Sequence, residues 1–181
     1  MREKKMLSVR PLQQNDIQML ADYWFTAEPE FLTGMGVDLE KMISRDSFTA
    51  MLEEQLNKPM EEKRSYAIIW LEHGRPIGHC NTNPTFFGDY AHMHLHLWGR
   101  QDRKKGLGAS LVKMTLPHFF DSLQLRRLVC EPYALNPAPN RTLEKLGFVL
   151  EKEYVTTPGF INFEQPVKRW VLTAEQFRGM A

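Results

Sequence analysis

A chain of 181 residues, 43% hydrophobic and 25% charged, has the size and polarity of one globular domain with a buried core. Its net charge of +1 gives no field that would draw nucleic acid or an anionic membrane, and no apolar run approaches the roughly 20 residues of a membrane span. Cys80 and Cys130 are too few and too far apart for a disulfide scaffold or a zinc knuckle, which fits a cytoplasmic protein, and the charged start Met1 to Lys5 lacks the apolar run of a signal peptide.

Taken in order, Leu7 to Arg10 reads as a short strand stopped by Pro11. Asn15 and Asp16 can then cap a helix whose apolar positions Ile17, Leu20, Ala21 and Trp24 fall at helical spacing. Residues 26–44 mix Pro, Gly and Met and read as a loop with one helical turn. A second helix is expected over 47–56, with Phe48, Met51, Leu52 and Leu56 on one face and Lys58-Pro59 ending it. Tyr66 to Leu71 has the β-branched and aromatic content of a buried strand, residues 72–75 form a tight turn, and 76–82 return as the second strand of a hairpin.

A second turn at Asn83-Pro84 and Gly88-Asp89 leads to a strand over 91–98. There His92, His94 and His96 alternate with Met93, Leu95 and Leu97, so the histidines share one face and the apolar residues the other. A basic loop follows, Arg100 to Lys105, and then a helix opening at Gly106 whose apolar face includes Leu107, Leu111, Val112, Leu116 and Phe119. The first turn of such a helix directs free backbone N–H groups and partial positive charge at one point, an anion site suited to phosphate. The pattern Arg103-x-x-Gly106-x-Gly108 is neither a Walker loop, which needs Gly-Lys-Ser/Thr, nor a dinucleotide fingerprint, since Leu111 stands where a third glycine would be. Pro117 is expected to kink the helix or free a carbonyl four residues back. Residues 127–131 form a further strand. Asn136-Pro137 opens a short helix that Gly147 closes, and strands over 149–156 and 166–172 end the chain.

Arg103-x-x-Gly106-x-Gly108 resembles the pyrophosphate-binding motif of the GCN5-related N-acetyltransferases (GNAT), in which this loop holds coenzyme A. Asn136, followed at family spacing by Leu143-Glu144-Lys145-Leu146-Gly147-Phe148, resembles the closing motif of the same family, nearest to its ribosomal-protein N-terminal branch. The resemblance spans most of the chain. It implies a single domain over 1–181 with an α/β (α+β) GNAT fold: a central mixed, mostly antiparallel sheet of six to seven strands flanked by about four helices.

It implies, further, an acetyl-CoA-dependent N-acetyltransferase acting on a primary amine of a small molecule or a protein N-terminus, by direct attack in a ternary complex. Leu97, Trp98 and Gly99 would pair with pantetheine, and Arg103, Lys104, Lys105, Gly106, Leu107, Gly108, Ala109 and Ser110 would hold the pyrophosphate. Asn136 and Asn140 would stand on the opposite wall, Asn136 also as a helix cap. An amine with a pKa near ~10 must lose a proton before it attacks, so a base is needed. His96 is the first candidate, His94 the second and Glu131 the third. The family's tyrosine acid falls at Leu143, so either Tyr133 takes that part or the thiolate leaves without an acid, and Pro139 stands where the ribosomal-protein branch has serine.

The His-x-His-x-His strand also has the spacing of a zinc site, but no cysteine or carboxylate lies nearby in sequence to complete one, and no metal is expected. Neither nucleic acid nor membrane is expected as a partner, and the protein is expected to be a monomer or homodimer. The alternatives are a longer acyl-CoA, a hydroxylamine acceptor as in siderophore assembly, or a coenzyme-A-binding regulatory domain without turnover.

Overall fold

The computed structural model describes residues 6–103 and 106–180. Its strands are β1 (Leu7–Pro11), β2 (Tyr66–Glu72), β3 (Arg75–Thr85), β4 (Tyr90–Leu97), β5 (Arg127–Cys130), β6 (Val149–Thr156) and β7 (Gln165–Thr173). They form one sheet in the order β1-β2-β3-β4-β5-β7-β6, antiparallel at every pair except β4 with β5. The helices are α1 (Ile17–Phe25), α2 (Pro29–Gly34), α3 (Arg45–Asn57), α4 (Leu107–Pro117), α5 (Pro137–Lys145) and α6 (Ala174–Gly179).

Hydrophobic alternation along the sheet decides which layer lies where. Ile68, Trp70, Met93 and Leu128 face α4 and α5 and meet Leu111, Leu116 and Leu143 in the main core. The Trp70 indole N–H donates to Thr115 Oγ1 at 2.8 Å, tying the sheet to α4. On the other face, Ile69 and Leu71 meet Leu12, Ile17, Leu20 and Leu52 beneath α1 and α3. A fully buried Leu or Ile contributes about 1.5–3 kcal/mol, so both layers are held mainly by this burial.

Local chemistry accounts for most element ends. His73 (φ 51°) and Gly74 (φ 76°) form the two-residue hairpin turn between β2 and β3. Ser44 accepts from Ser47 N at 3.1 Å and starts α3 two residues earlier than expected. Asp16 does not cap α1 with its side chain. Its carboxylate accepts from Gln13 N at 2.8 Å and pairs with Arg10 at 2.6 and 2.9 Å, fastening the end of β1 to the first turn. At Pro117 the helix passes into a π turn over His118–Ser122, because the missing N–H breaks the α ladder there.

One helix is longer than the single turn expected, and one was not expected. The loop over 26–44 contains α2, opened by Pro29 at its first position. Beyond β7, Thr173 and Gln176 form a reciprocal capping box that starts α6, with bonds of 2.8 and 3.2 Å.

Candidate acetyl-transfer site

The parallel pair β4–β5 is short. Tyr90, Ala91 and His92 oppose Arg127, Leu128 and Val129, and there the pairing stops. After Cys130 the chain turns towards β7: Lys168 N donates to Pro132 O at 3.3 Å, and Tyr133 bridges Val167. The edge of β4 beyond His92 therefore has no strand partner on that side. A ligand with amide groups can supply the missing hydrogen bonds.

At the outer end of this gap stands the N-terminus of α4. Gly106 occupies the helix-cap position at φ 70°, a left-handed conformation suited to glycine, and among the described residues no side-chain cap bond closes the first turn. The N–H groups of Leu107, Gly108 and Ala109 are therefore the donors that an anion would use, while the Ser110 N–H closes the first turn on the Gly106 carbonyl. The Leu107 side chain is buried and Ala109 packs on the core, so these two can contribute only backbone, while Ser110 is exposed. Gly108 faces α5, where a Cβ would meet Thr142 Oγ1 at 3.4 Å, an ordinary contact.

Arg103 does not reach towards α4 as expected. Its Nε donates to Leu97 O at 3.1 Å and its Nη2 to Trp98 O at 2.9 Å, and the guanidinium lies 3.8 Å over the Phe31 ring. Trp98 N donates to Ile77 O at 2.9 Å. The polar groups expected to meet pantetheine at Leu97 and Trp98 are thus largely engaged within the protein. Gly99 begins the tight turn below them, with Asp102 N donating to Gly99 O at 3.1 Å. Lys104 and Lys105 lie outside the described residues.

On the face under α1 and α3, His79, His94 and His96 line a chamber of about 270 Å³ that extends from Pro132 and Asn136 at the gap to Phe48 and Met51 of α3. His96 Nδ1 lies 3.0 Å from the Tyr23 hydroxyl, and its ring stacks on His79 at 4.8 Å. The Trp98 indole donates to His79 Nδ1 at 2.8 Å. Burial, reinforced by the neighbouring His79, His94 and Arg103, pushes the His96 pKa well below the usual value; burial pushes His79 down to about 3. His94 Nε2 lies 2.8 Å from Asn83 O, and burial lowers its pKa as well. A carbonyl only accepts, so Nε2 carries the proton and Nδ1 of neutral His94 is a free lone pair.

Glu131, just past β5, is engaged from several sides. Arg169 Nη1 donates to it at 2.9 Å, Tyr154 donates to the same oxygen, and His92 lies 3.7 Å from the other. Tyr133 lines the chamber and meets Phe163 edge-on at 6.0 Å.

Asn136 occupies the cap position of α5 but makes no side-chain cap bond, contrary to the capping expectation, and it borders the chamber. Asn140 departs from its expected cofactor role: Nδ2 donates to Tyr133 O (3.1 Å) and Asn136 O (2.8 Å), and Oδ1 accepts from Trp170 Nε1 (2.9 Å). It locks the wall rather than facing a ligand. Leu143 is fully buried in the main core, as its apolar character requires. Among the described residues no cluster of His, Cys, Asp or Glu is placed to hold a metal ion, and no helix is long and apolar enough to cross a membrane.

Sequence reasoning passed over Tyr23, His79 and Arg169. Tyr23 stands one turn after Leu20 on the inner face of α1, a signal available from spacing. The register that sets His79 opposite His96 emerges only when β3 and β4 pair.

A sheet divided at its centre, with an uncapped helix terminus at the gap and a chamber behind it, is the architecture of an acyl-CoA-dependent transferase. Residues 7–149 match the acetyltransferase (GNAT) domain, and the chain belongs to that family; it is an acetyl-CoA-dependent N-acetyltransferase. No curated protein sequence matches it. Among solved structures, spermidine N-acetyltransferase from Vibrio cholerae in complex with CoA and spermine is similar at a TM-score of 0.74 and 20% identity, over 95% of this chain and 98% of that one. A dodecameric structure of the Vibrio cholerae enzyme in an intermediate state gives 0.73 and 17%, over 97% and 98%. At this identity the likeness concerns the fold.

Proposed function

We propose that this enzyme acetylates the primary amine of a small molecule held in the chamber beneath α1 and α3, by direct attack in a ternary complex. One observation carries the reading: the chamber meets the β4–β5 gap, so an acceptor on the histidine face and a thioester in the gap would share one boundary. Acetyl-CoA supplies the activated acetyl group. The N–H groups at 107–109 bind its pyrophosphate, and the free edge of β4 aligns its arm. The similar structure that holds spermine supports a small amine over the protein N-terminus suggested by the ribosomal-branch motif.

Proton traffic favours His94 over His96 as the base. Tyr23 has two neighbours, His96 Nδ1 at 3.0 Å and Met35 Sδ at 3.5 Å, and imidazole nitrogen is the stronger acceptor. With the Tyr23 O–H donating to Nδ1, His96 carries its proton on Nε2 and can only donate; it supports charge on the carbonyl oxygen. His94, with Nδ1 bare and a depressed pKa, is neutral at pH 7 and accepts the amine proton. Glu131, bound to Arg169, serves structure, and Tyr133 is the candidate donor to the leaving thiolate. Buried free thiols at Cys80 and Cys130 fit a cytoplasmic setting, and elution volume on a sizing column decides between the monomer or homodimer expected and a larger assembly.

The test is thiol release from acetyl-CoA across a panel of small amines and N-terminal peptides. Turnover confined to peptides would overturn the small-molecule reading.

A further inference from the structure

The chamber's lining narrows the acceptor class, on the assumption that it is the acceptor site. Away from the gap its lining is apolar, with Phe25 of α1, Ile43, and Phe48 and Met51 of α3. Among the described residues lining it, Glu131 is the single carboxylate; it stands at the gap, paired with Arg169 at 2.9 Å, which also holds the exposed Glu151 at 2.6 Å. Two carboxylates on the surrounding segments are paired outside it, Asp22 with Arg45 at 2.7 Å and Asp38 with Lys41 at 3.6 Å. A second ammonium carried inward would therefore be desolvated with no counter-charge to receive it. The volume of about 270 Å³ exceeds the ~150 Å³ that accommodates benzene, leaving room for one ring or a six-carbon chain beside the acetyl group.

We propose that the acceptor is a monoamine with an apolar body of that size, and that a second cationic centre in the body bars entry. In the transfer, the neutral amine nitrogen bonds to the thioester carbonyl carbon, the carbon–sulfur bond breaks, and coenzyme A leaves as a thiolate that takes a proton from Tyr133. The amine proton passes to His94.

The experiment compares hexylamine and phenethylamine with 1,6-diaminohexane and spermidine. Thiol release is measured with acetyl-CoA, and binding to the coenzyme-A-loaded protein by calorimetry. Across propyl- to hexylamine, kcat/KM is expected to rise about three- to fourfold per methylene. The diamine is expected at about 100-fold below hexylamine. Met51→Glu, which places a carboxylate at the far end, should narrow that ratio about tenfold, and Phe48→Ala should shift the optimum to longer chains.

A diamine or spermidine used as well as hexylamine overturns the proposed class and leaves the transferase reading standing. Hexylamine bound in preference to the diamine but never acetylated supports the class and overturns turnover at this site. If neither binds nor reacts, both readings fall.

Discussion

Replacing His94 by Gln tests the proton path most directly. Gln keeps an N–H near the position of Nε2, so the bond to Asn83 O survives and the buried carbonyl is not orphaned, which would otherwise cost about 1–3 kcal/mol. What it removes is the basic Nδ1. General-base catalysis contributes roughly 10²–10⁴-fold, so kcat/KM should fall at least about 100-fold, or about 2.7 kcal/mol in activation free energy. The pH profile carries the sharper information. Burial lowers the His94 pKa, so the acid limb of the wild-type profile lies below the ordinary histidine value. There the rate falls as pH drops and His94 takes up a proton. His94→Gln should lose this limb and keep only the alkaline rise from the amine. His96→Gln removes a donor, so its rate should also fall, by about 10²-fold, but its acid limb should remain. Steady-state rates from pH 5 to 9 with one amine decide the matter. An acid limb that survives in His94→Gln and disappears in His96→Gln would refute the assignment and restore His96 as the base.

Gly106→Glu places a carboxylate against the first-turn N–H groups of α4 and forces a side chain into φ 70°. Acetyl-CoA affinity by calorimetry should drop more than about tenfold, and strain of about 1 kcal/mol should lower Tm by about 2–4 °C; unchanged affinity would contradict the anion site. His79 titrates near 3 when folded and near ~6.5 when unfolded, so the unfolded state binds the extra proton between these values. Its contribution to stability is complete above pH ~6.5 and falls by about 1.4 kcal/mol per unit as pH drops through the window towards 3, and urea titrations of His79→Gln should show a correspondingly flatter pH dependence. Asn140→Leu strips the Trp170 indole of its acceptor and should cost about 2 kcal/mol, or about 4–8 °C in Tm, with acetyl-CoA affinity within about twofold of wild type. Lost affinity with unchanged Tm would reinstate Asn140 as a ligand residue.

Features set by near neighbours in the chain were legible before the fold was known. The 72–75 turn needs two left-handed residues and has His73-Gly74; α5 needs a start and a stop and has Pro137 and Gly147. The face of β4 that carries the histidines followed from alternation alone. Pro132, lacking an N–H, is a local mark of where β5 stops, and it carries no information about the gap that follows.

What was not legible depends on contacts between distant segments. Arg103 was read as charge for a phosphate because the loop around it is basic. Its actual partners are the Phe31 ring and two carbonyls of the β4 end, and the first of these lies on a short helix in a stretch read as loop. Glu131 looked like a free carboxylate because its partner Arg169 is 38 residues away on a strand that pairs with β5 in space. Asn140 was placed at the cofactor by counting one helical turn from Asn136, but Trp170 of β7 lies against that face and takes its carbonyl oxygen. The same difficulty shaped the choice of base. His94 and His96 are equivalent in the sequence, two residues apart on one face of one strand. They differ in what reaches them from elsewhere, a carbonyl of β3 for one and a phenol of α1 for the other, and those partners determine which nitrogen is left to accept a proton.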